Sequence, residues 1–116
     1  MYKAVVLTAV AAALMVSQAS AQDLAGTLKK IKDTGAVTMG VRESSGALSY
    51  TLGDGKYVGY HVEICQKVLA DVQKQLGLAK LDVKYQPVTS QNRIPLVQNG
   101  TVDIECGSTT NNATRQ

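Results

Sequence analysis

Two arginines stand in stretches rich in hydroxyl and amide side chains: Arg42 in Arg42-Glu43-Ser44-Ser45-Gly46, and Arg93 in Thr89-Ser90-Gln91-Asn92-Arg93. A planar guanidinium grips a carboxylate through two parallel N–H donors, so two such arginines suit a dicarboxylate. A third polar stretch, Gly107-Ser108-Thr109-Thr110-Asn111-Asn112, adds groups that can donate to a carboxylate or accept from an ammonium. Taken singly, each arginine also reads as a solvated surface charge, and the Ser/Thr/Asn cluster as an ordinary loop.

Catalytic chemistry finds less support. A Ser-His-Asp or Cys-His site needs a base beside its nucleophile, and the one histidine, His61, opens a helix, where it reads as a surface or helix N-terminal residue. Gly53, Gly55 and Gly59 lie on a hairpin and miss the dinucleotide fingerprint. One His and two Cys show no ligand-pair spacing, so neither a metal nor a cofactor is expected. Asn99-Gly100-Thr101 and Asn112-Ala113-Thr114 match glycosylation sequons of a kind common by chance. The charge balance is 12 basic against 9 acidic residues, net +3, and there is no Trp or Phe. Dispersed weak charge without stacking aromatics argues against nucleic acid.

These polar stretches need a scaffold, and the apolar periodicity supplies one. Leu24, Leu28 and Ile31 mark a short amphipathic helix that Gly35 closes. Residues 36–41 form a β-prone run leading into Arg42. Leu48–Leu52 and Lys56–Val58 flank Gly53-Asp54-Gly55, a hairpin signal. Val62, Cys65, Val68, Leu69, Val72 and Leu76 recur at three- and four-residue spacing, defining a main helix from His61 to Leu76 that Gly77 ends. Leu81–Tyr85 alternates as a strand with one buried face. Gln91–Gln98 suits a short helix with Pro95 near its start, and Thr101–Cys106 reads as a last strand.

Alternating strands and helices imply an α/β fold, a parallel or mixed sheet flanked by helices. Ligands of such sheets bind outside the carboxyl ends of the strands. Arg42–Ser45, Thr89–Arg93 and Gly107–Asn112 fall at those ends.

The N-terminus fixes the destination. Lys3, the uncharged run Ala4–Val16 and the small-residue site Ala19-Ser20-Ala21 predict a signal peptide over residues 1–21, too short in its apolar centre for a membrane anchor. Residues 22–116 then form a single domain in an oxidising compartment, where a disulfide is permitted. Cys65 falls on the apolar side of a helix and Cys106 after an apolar strand, so burial as separate small hydrophobes is the preferred reading, with a bond between them left open.

The block Thr89-Ser90-Gln91-Asn92-Arg93-Ile94-Pro95-Leu96, then Gln98-Asn99-Gly100-Thr101, then residues 103–112, resembles the glutamate/aspartate-binding proteins of polar amino-acid ABC importers. Gly40–Ser45 and Val58-Gly59-Tyr60 resemble the same family upstream. The resemblance implies a periplasmic-binding-protein-like, Venus-flytrap fold, of which this chain is the N-terminal lobe with the second lobe absent.

It further implies that Arg42, Ser90 and Arg93 meet the ligand's side-chain carboxylate. Ser108 and Thr110 would hold its α-amino and α-carboxylate ends, and Arg115 would salt-bridge the α-carboxylate. The expected partners are L-glutamate or L-aspartate and a membrane ABC permease, and a monomer is the expected state. One departure is His61-Val62-Glu63, where relatives often carry Asp at the third place. The competing readings are a periplasmic enzyme on the same fold, of the cyclohexadienyl-dehydratase type, and a gene fragment without a role of its own.

Overall fold

The computed structural model describes residues 24–116, so the predicted signal peptide lies outside the described residues. Nine elements follow in order: α1 (Gly26–Thr34), β1 (Ala36–Val41), a 3-10 turn (Gly46–Leu48), β2 (Tyr50–Gly53), β3 (Lys56–Val58), α2 (Tyr60–Gln75), β4 (Asp82–Pro87), α3 (Arg93–Gln98) and β5 (Ile104–Glu105). No described helix is long and apolar enough to cross a membrane.

The main sheet has the order β4-β1-β5. Both pairings are parallel: Val37 sits opposite Val83 and Val41 opposite Pro87, while Met39 sits opposite Ile104. Parallel neighbours require crossovers, which α2 supplies between β1 and β4 and α3 between β4 and β5. Antiparallel pairing is confined to the separate β2-β3 hairpin, turning through Gly53-Asp54-Gly55.

As the central strand, β1 is buried at Val37, Met39 and Val41 on one face and at Gly40 on the other, the pattern of a strand covered on both faces. Those three side chains join Ile31 of α1 and Val62, Cys65, Leu69 and Leu76 in one cluster. Fully burying each such side chain contributes about 1.5–3 kcal/mol. On the other face Gly40 leaves room for Val102 and Val88, with an added Cβ falling 2.9 Å from Val102.

Helix ends follow the glycines. The Gly35 N–H donates to the Ile31 carbonyl at 2.8 Å from a left-handed conformation, closing α1. Gly59, at φ 133°, precedes α2, and a Cβ there would collide with the Leu48 carbonyl, so only glycine lets α2 start against the 3-10 turn.

Several expectations need correction. Cys65 and Cys106 form a disulfide rather than two separate buried thiols. Periodicity places both on apolar faces, but only the packing of α2 over the end of β5 brings their Cα atoms to 6.2 Å, within bridging range. Val68 is 43% exposed, because α2 buries a narrower stripe than the full apolar set. Along β4 only Val83 is half-buried, since this is an edge strand. The last strand is regular only over Ile104–Glu105 because the Asp103 carboxylate takes the Thr38 N–H at 2.8 Å, the donor a longer ladder would have used.

Candidate ligand-binding site

All three strands of the main sheet run the same way, so their carboxyl ends meet along one edge. There β1 delivers Arg42, β4 delivers the turn 88–92 and α3, and β5 delivers the loop from Gly107. Two main-chain bonds hold the strand exits together: Val88 N–H to the Val41 carbonyl and Cys106 N–H to the Gly40 carbonyl, both 2.8 Å.

Arg42 is half-buried, and its Nη1 donates to Ser90 Oγ at 2.8 Å. Its backbone is fixed by Ser49, a fully buried hydroxyl that accepts from the Arg42 N–H at 2.8 Å and donates to its carbonyl at 3.2 Å. The turn carrying Ser90 is closed reciprocally: Thr89 N–H donates to Asn92 Oδ1 at 2.7 Å and Asn92 N–H to Thr89 Oγ1 at 3.1 Å. Arg42, Glu43, Thr89 and Ser90 line a depression of about 220 Å³.

Arg93 opens α3 rather than lying in a loop and is only 9% exposed. Its Nη1 donates to Ser108 Oγ at 3.4 Å, and Ser108 Oγ also meets Ser45 Oγ at 3.1 Å. The Nε of Arg93 is buried without an acceptor among the described residues. A larger cavity, about 500 Å³, is lined by Arg93, Glu105, Thr109, Thr114 and Arg115 among others. Arg115 Nη1 donates to the Thr110 carbonyl at 2.9 Å.

The six expected residues therefore form three contacting pairs, Arg42–Ser90, Arg93–Ser108 and Arg115–Thr110. Arg93 and Arg115 share the larger cavity, Arg42 and Ser90 line the smaller one, and Ser108 and Thr110 line neither. Sequence reasoning placed Ser45 at this edge without giving it a role, and missed Ser49 and Glu105. Nothing in the sequence marks Ser49, whose partner lies seven residues back across a turn.

The 107–112 loop is anchored twice to α2. Cys106 is bonded to Cys65, and half-buried His61, in the first turn of α2, hydrogen-bonds through Nδ1 to the Gly107 carbonyl. His61 thus faces the loop, not open solvent. A Cβ at Gly107 would collide with Glu105 Oε1 and with Cγ of Arg42, so glycine is required for Arg42 to lie across this loop. No group of three or more His, Cys, Asp or Glu that could hold a metal occurs among the described residues.

Comparison with known proteins agrees with this architecture. Residues 37–116 match the family model for bacterial extracellular solute-binding proteins, family 3. The chain is 57% identical over 94% of its length to the L-glutamate/L-aspartate-binding protein of Pseudomonas aeruginosa. It is 45% identical over 97% of its length to the glutamate/aspartate import solute-binding protein of Escherichia coli. It spans only 36% and 37% of the length of those two relatives. Both are binding proteins, not enzymes.

Among solved structures, an ancestral amino-acid-binding protein, a precursor of cyclohexadienyl dehydratase, superposes with a TM-score of 0.65 at 26% identity, covering 78% of this chain and 37% of that one. The parallel sheet with polar loops at its carboxyl edge and the match over residues 37–116 place this chain among the bacterial extracellular solute-binding proteins, family 3.

Proposed function

We propose that residues 22–116 are the first lobe of a periplasmic receptor that captures L-glutamate and L-aspartate for an ABC importer, acting as a monomer. The observation that carries this reading is the set of three arginines at one sheet edge, each hydrogen-bonded to a loop hydroxyl or carbonyl. Arg42 and Arg93 bind the side-chain carboxylate with Ser90. Arg115 binds the α-carboxylate, and Ser108 and Thr110 hold the α-amino and α-carboxylate ends.

The names of the two relatives support the same ligand class. An arginine pair held by hydroxyls is organised before the ligand arrives, which lowers the ordering cost of binding. A polypeptide of residues 22–116 alone should bind more weakly than the intact receptor. A single lobe leaves each ion pair in contact with water, where it is worth about 1 kcal/mol or less.

The test is calorimetry of the intact protein against L-glutamate, L-aspartate, L-glutamine, L-arginine and L-cysteine. Tight binding of the first two is expected, and a preference for a cationic or neutral amino acid would refute the reading.

A further inference from the structure

The loop after β5 carries Ser108 and Thr110, yet the sheet stops short of it. Its last ladder bond runs from Cys106 N–H to the Gly40 carbonyl, and among the described residues no main-chain pair involves 107–111. One backbone group of that stretch is tied to another element: the Gly107 carbonyl, which accepts from Nδ1 of half-buried His61 in α2. A carbonyl only accepts, so Nδ1 carries the ring proton.

Gly107 is where such a tie matters most. Glu105 and Arg42 leave no room for a Cβ there, and a residue without a Cβ does little to restrict its own backbone. The described peptides contain no cis bond, so the Gly107 carbonyl and the Ser108 N–H share one plane and point opposite ways. Holding the carbonyl on α2 therefore fixes the direction of the Ser108 N–H and the entry into its side chain, on which Arg93 Nη1 and Ser45 Oγ converge. Cys65 lies one helical turn after His61 and is bonded to Cys106. One face of α2 thus grips two consecutive residues: the disulfide sets where β5 ends, and the imidazole sets the rotation of the next peptide.

We infer that His61 is a positioning residue of the binding site, orienting the peptide that leads into Ser108 and so setting the loop's affinity for the α-amino and α-carboxylate end of an amino acid. The inference rests on the proposed function and adds a residue that acts through the loop rather than on the ligand. Its effect is common to every amino acid that enters, because the arginines assigned to the side-chain end are held elsewhere: Arg42 by Ser49 and Ser90, Arg93 by its place at the start of α3.

The experiment titrates intact wild type, His61→Ala and His61→Asn with L-glutamate and L-glutamine. The asparagine amide nitrogen can stand where Nδ1 stood. His61→Ala should weaken both ligands by about three- to tenfold, the loss of one hydrogen bond, and keep their affinity ratio within about twofold of wild type. His61→Asn should recover most of the loss. Unchanged affinity in His61→Ala would overturn the inference, as would a variant ratio that shifts, since His61 would then act through the arginines. No recovery in His61→Asn would overturn it too, leaving the ring as a space-filling group. Nitrogen-correlated proton spectra of the wild-type imidazole supply a measurement independent of the variants: Nδ1 should carry the proton of the neutral ring, and a bare Nδ1 would overturn the inference even if both variants fail to fold. Wild type binding neither ligand would refute the functional reading itself, and this inference with it.

Discussion

The Ser49 hydroxyl closes both backbone groups of Arg42, accepting its N–H at 2.8 Å and donating to its carbonyl at 3.2 Å from a position with no solvent exposure. The arginine at the end of β1 is thereby held by a residue from the start of the hairpin. Its guanidinium is free to reach Ser90 because its main chain is already satisfied.

Replacing Ser49 by alanine should therefore do two things. It leaves two backbone groups without partners, which costs about 1–3 kcal/mol of stability. It also loosens Arg42, so glutamate affinity should fall as well. Urea unfolding and calorimetry on the same variant check both, and wild-type stability would show that water replaces the hydroxyl without loss.

Asp103 locks α1 to the sheet. Its side chain is 4% exposed, with Oδ1 on Lys30 Nζ at 2.8 Å and Oδ2 on Thr38 N–H at 2.8 Å. Asp103→Ala removes the acceptor of a main-chain donor inside the sheet and should cost about 2–4 kcal/mol. Lys30 is 46% exposed, so Lys30→Ala should cost about 1 kcal/mol or less. Chemical denaturation of the two variants side by side is the check, and equal losses would mean that the ion pair, not the amide contact, matters.

These particulars show what the sequence could and could not reveal. Three- and four-residue spacing of apolar residues marks α2, and Asp54-Gly55 marks the hairpin, because both signals are local. The placing of Arg42, Arg93 and the 107–112 loop at one edge follows from alternating strands and helices with parallel pairing. Ser49, Glu105 and the Cys65–Cys106 bond were not legible, since each depends on which segments meet in space. Asp103 illustrates the same limit: it reads as a strand residue, yet its side chain ends the ladder by taking a main-chain donor.

The disulfide closes a separation of 41 residues. In the chain-entropy treatment a loop of that length stabilises the fold by about 4 kcal/mol. Reduction with a thiol, or Cys65→Ser with Cys106→Ser, should lower the melting temperature markedly. Because Cys106 directly precedes Gly107 and Ser108, the same change should also weaken glutamate binding. Thermal scans with and without reductant, paired with titration, test both effects; reduction that leaves the melting temperature unmoved would mean the core alone holds α2 on β5.

The sharpest expectation concerns ligand choice. Arg93 is only 9% exposed, and its Nε has no acceptor among the described residues. Arg42 offers its guanidinium beside Ser90 from the neighbouring strand end. A ligand carboxylate supplies acceptors on both oxygens, whereas the side-chain amide of glutamine supplies one acceptor and turns an NH₂ donor toward donors that cannot reverse their role. Leaving a buried guanidinium without its anion costs about 2–3 kcal/mol, which is roughly 30- to 150-fold in affinity. The intact protein should therefore prefer glutamate over glutamine and aspartate over asparagine by about that factor. Arg93→Ala should narrow the preference by weakening glutamate far more than glutamine. Arg93→Lys should recover little of it, because an ammonium keeps the charge but not the two-pronged donor geometry. Calorimetric titration of the three proteins with glutamate and glutamine decides the matter: equal affinity of wild type for the two ligands, or an undiminished preference in Arg93→Ala, would remove Arg93 from the carboxylate site.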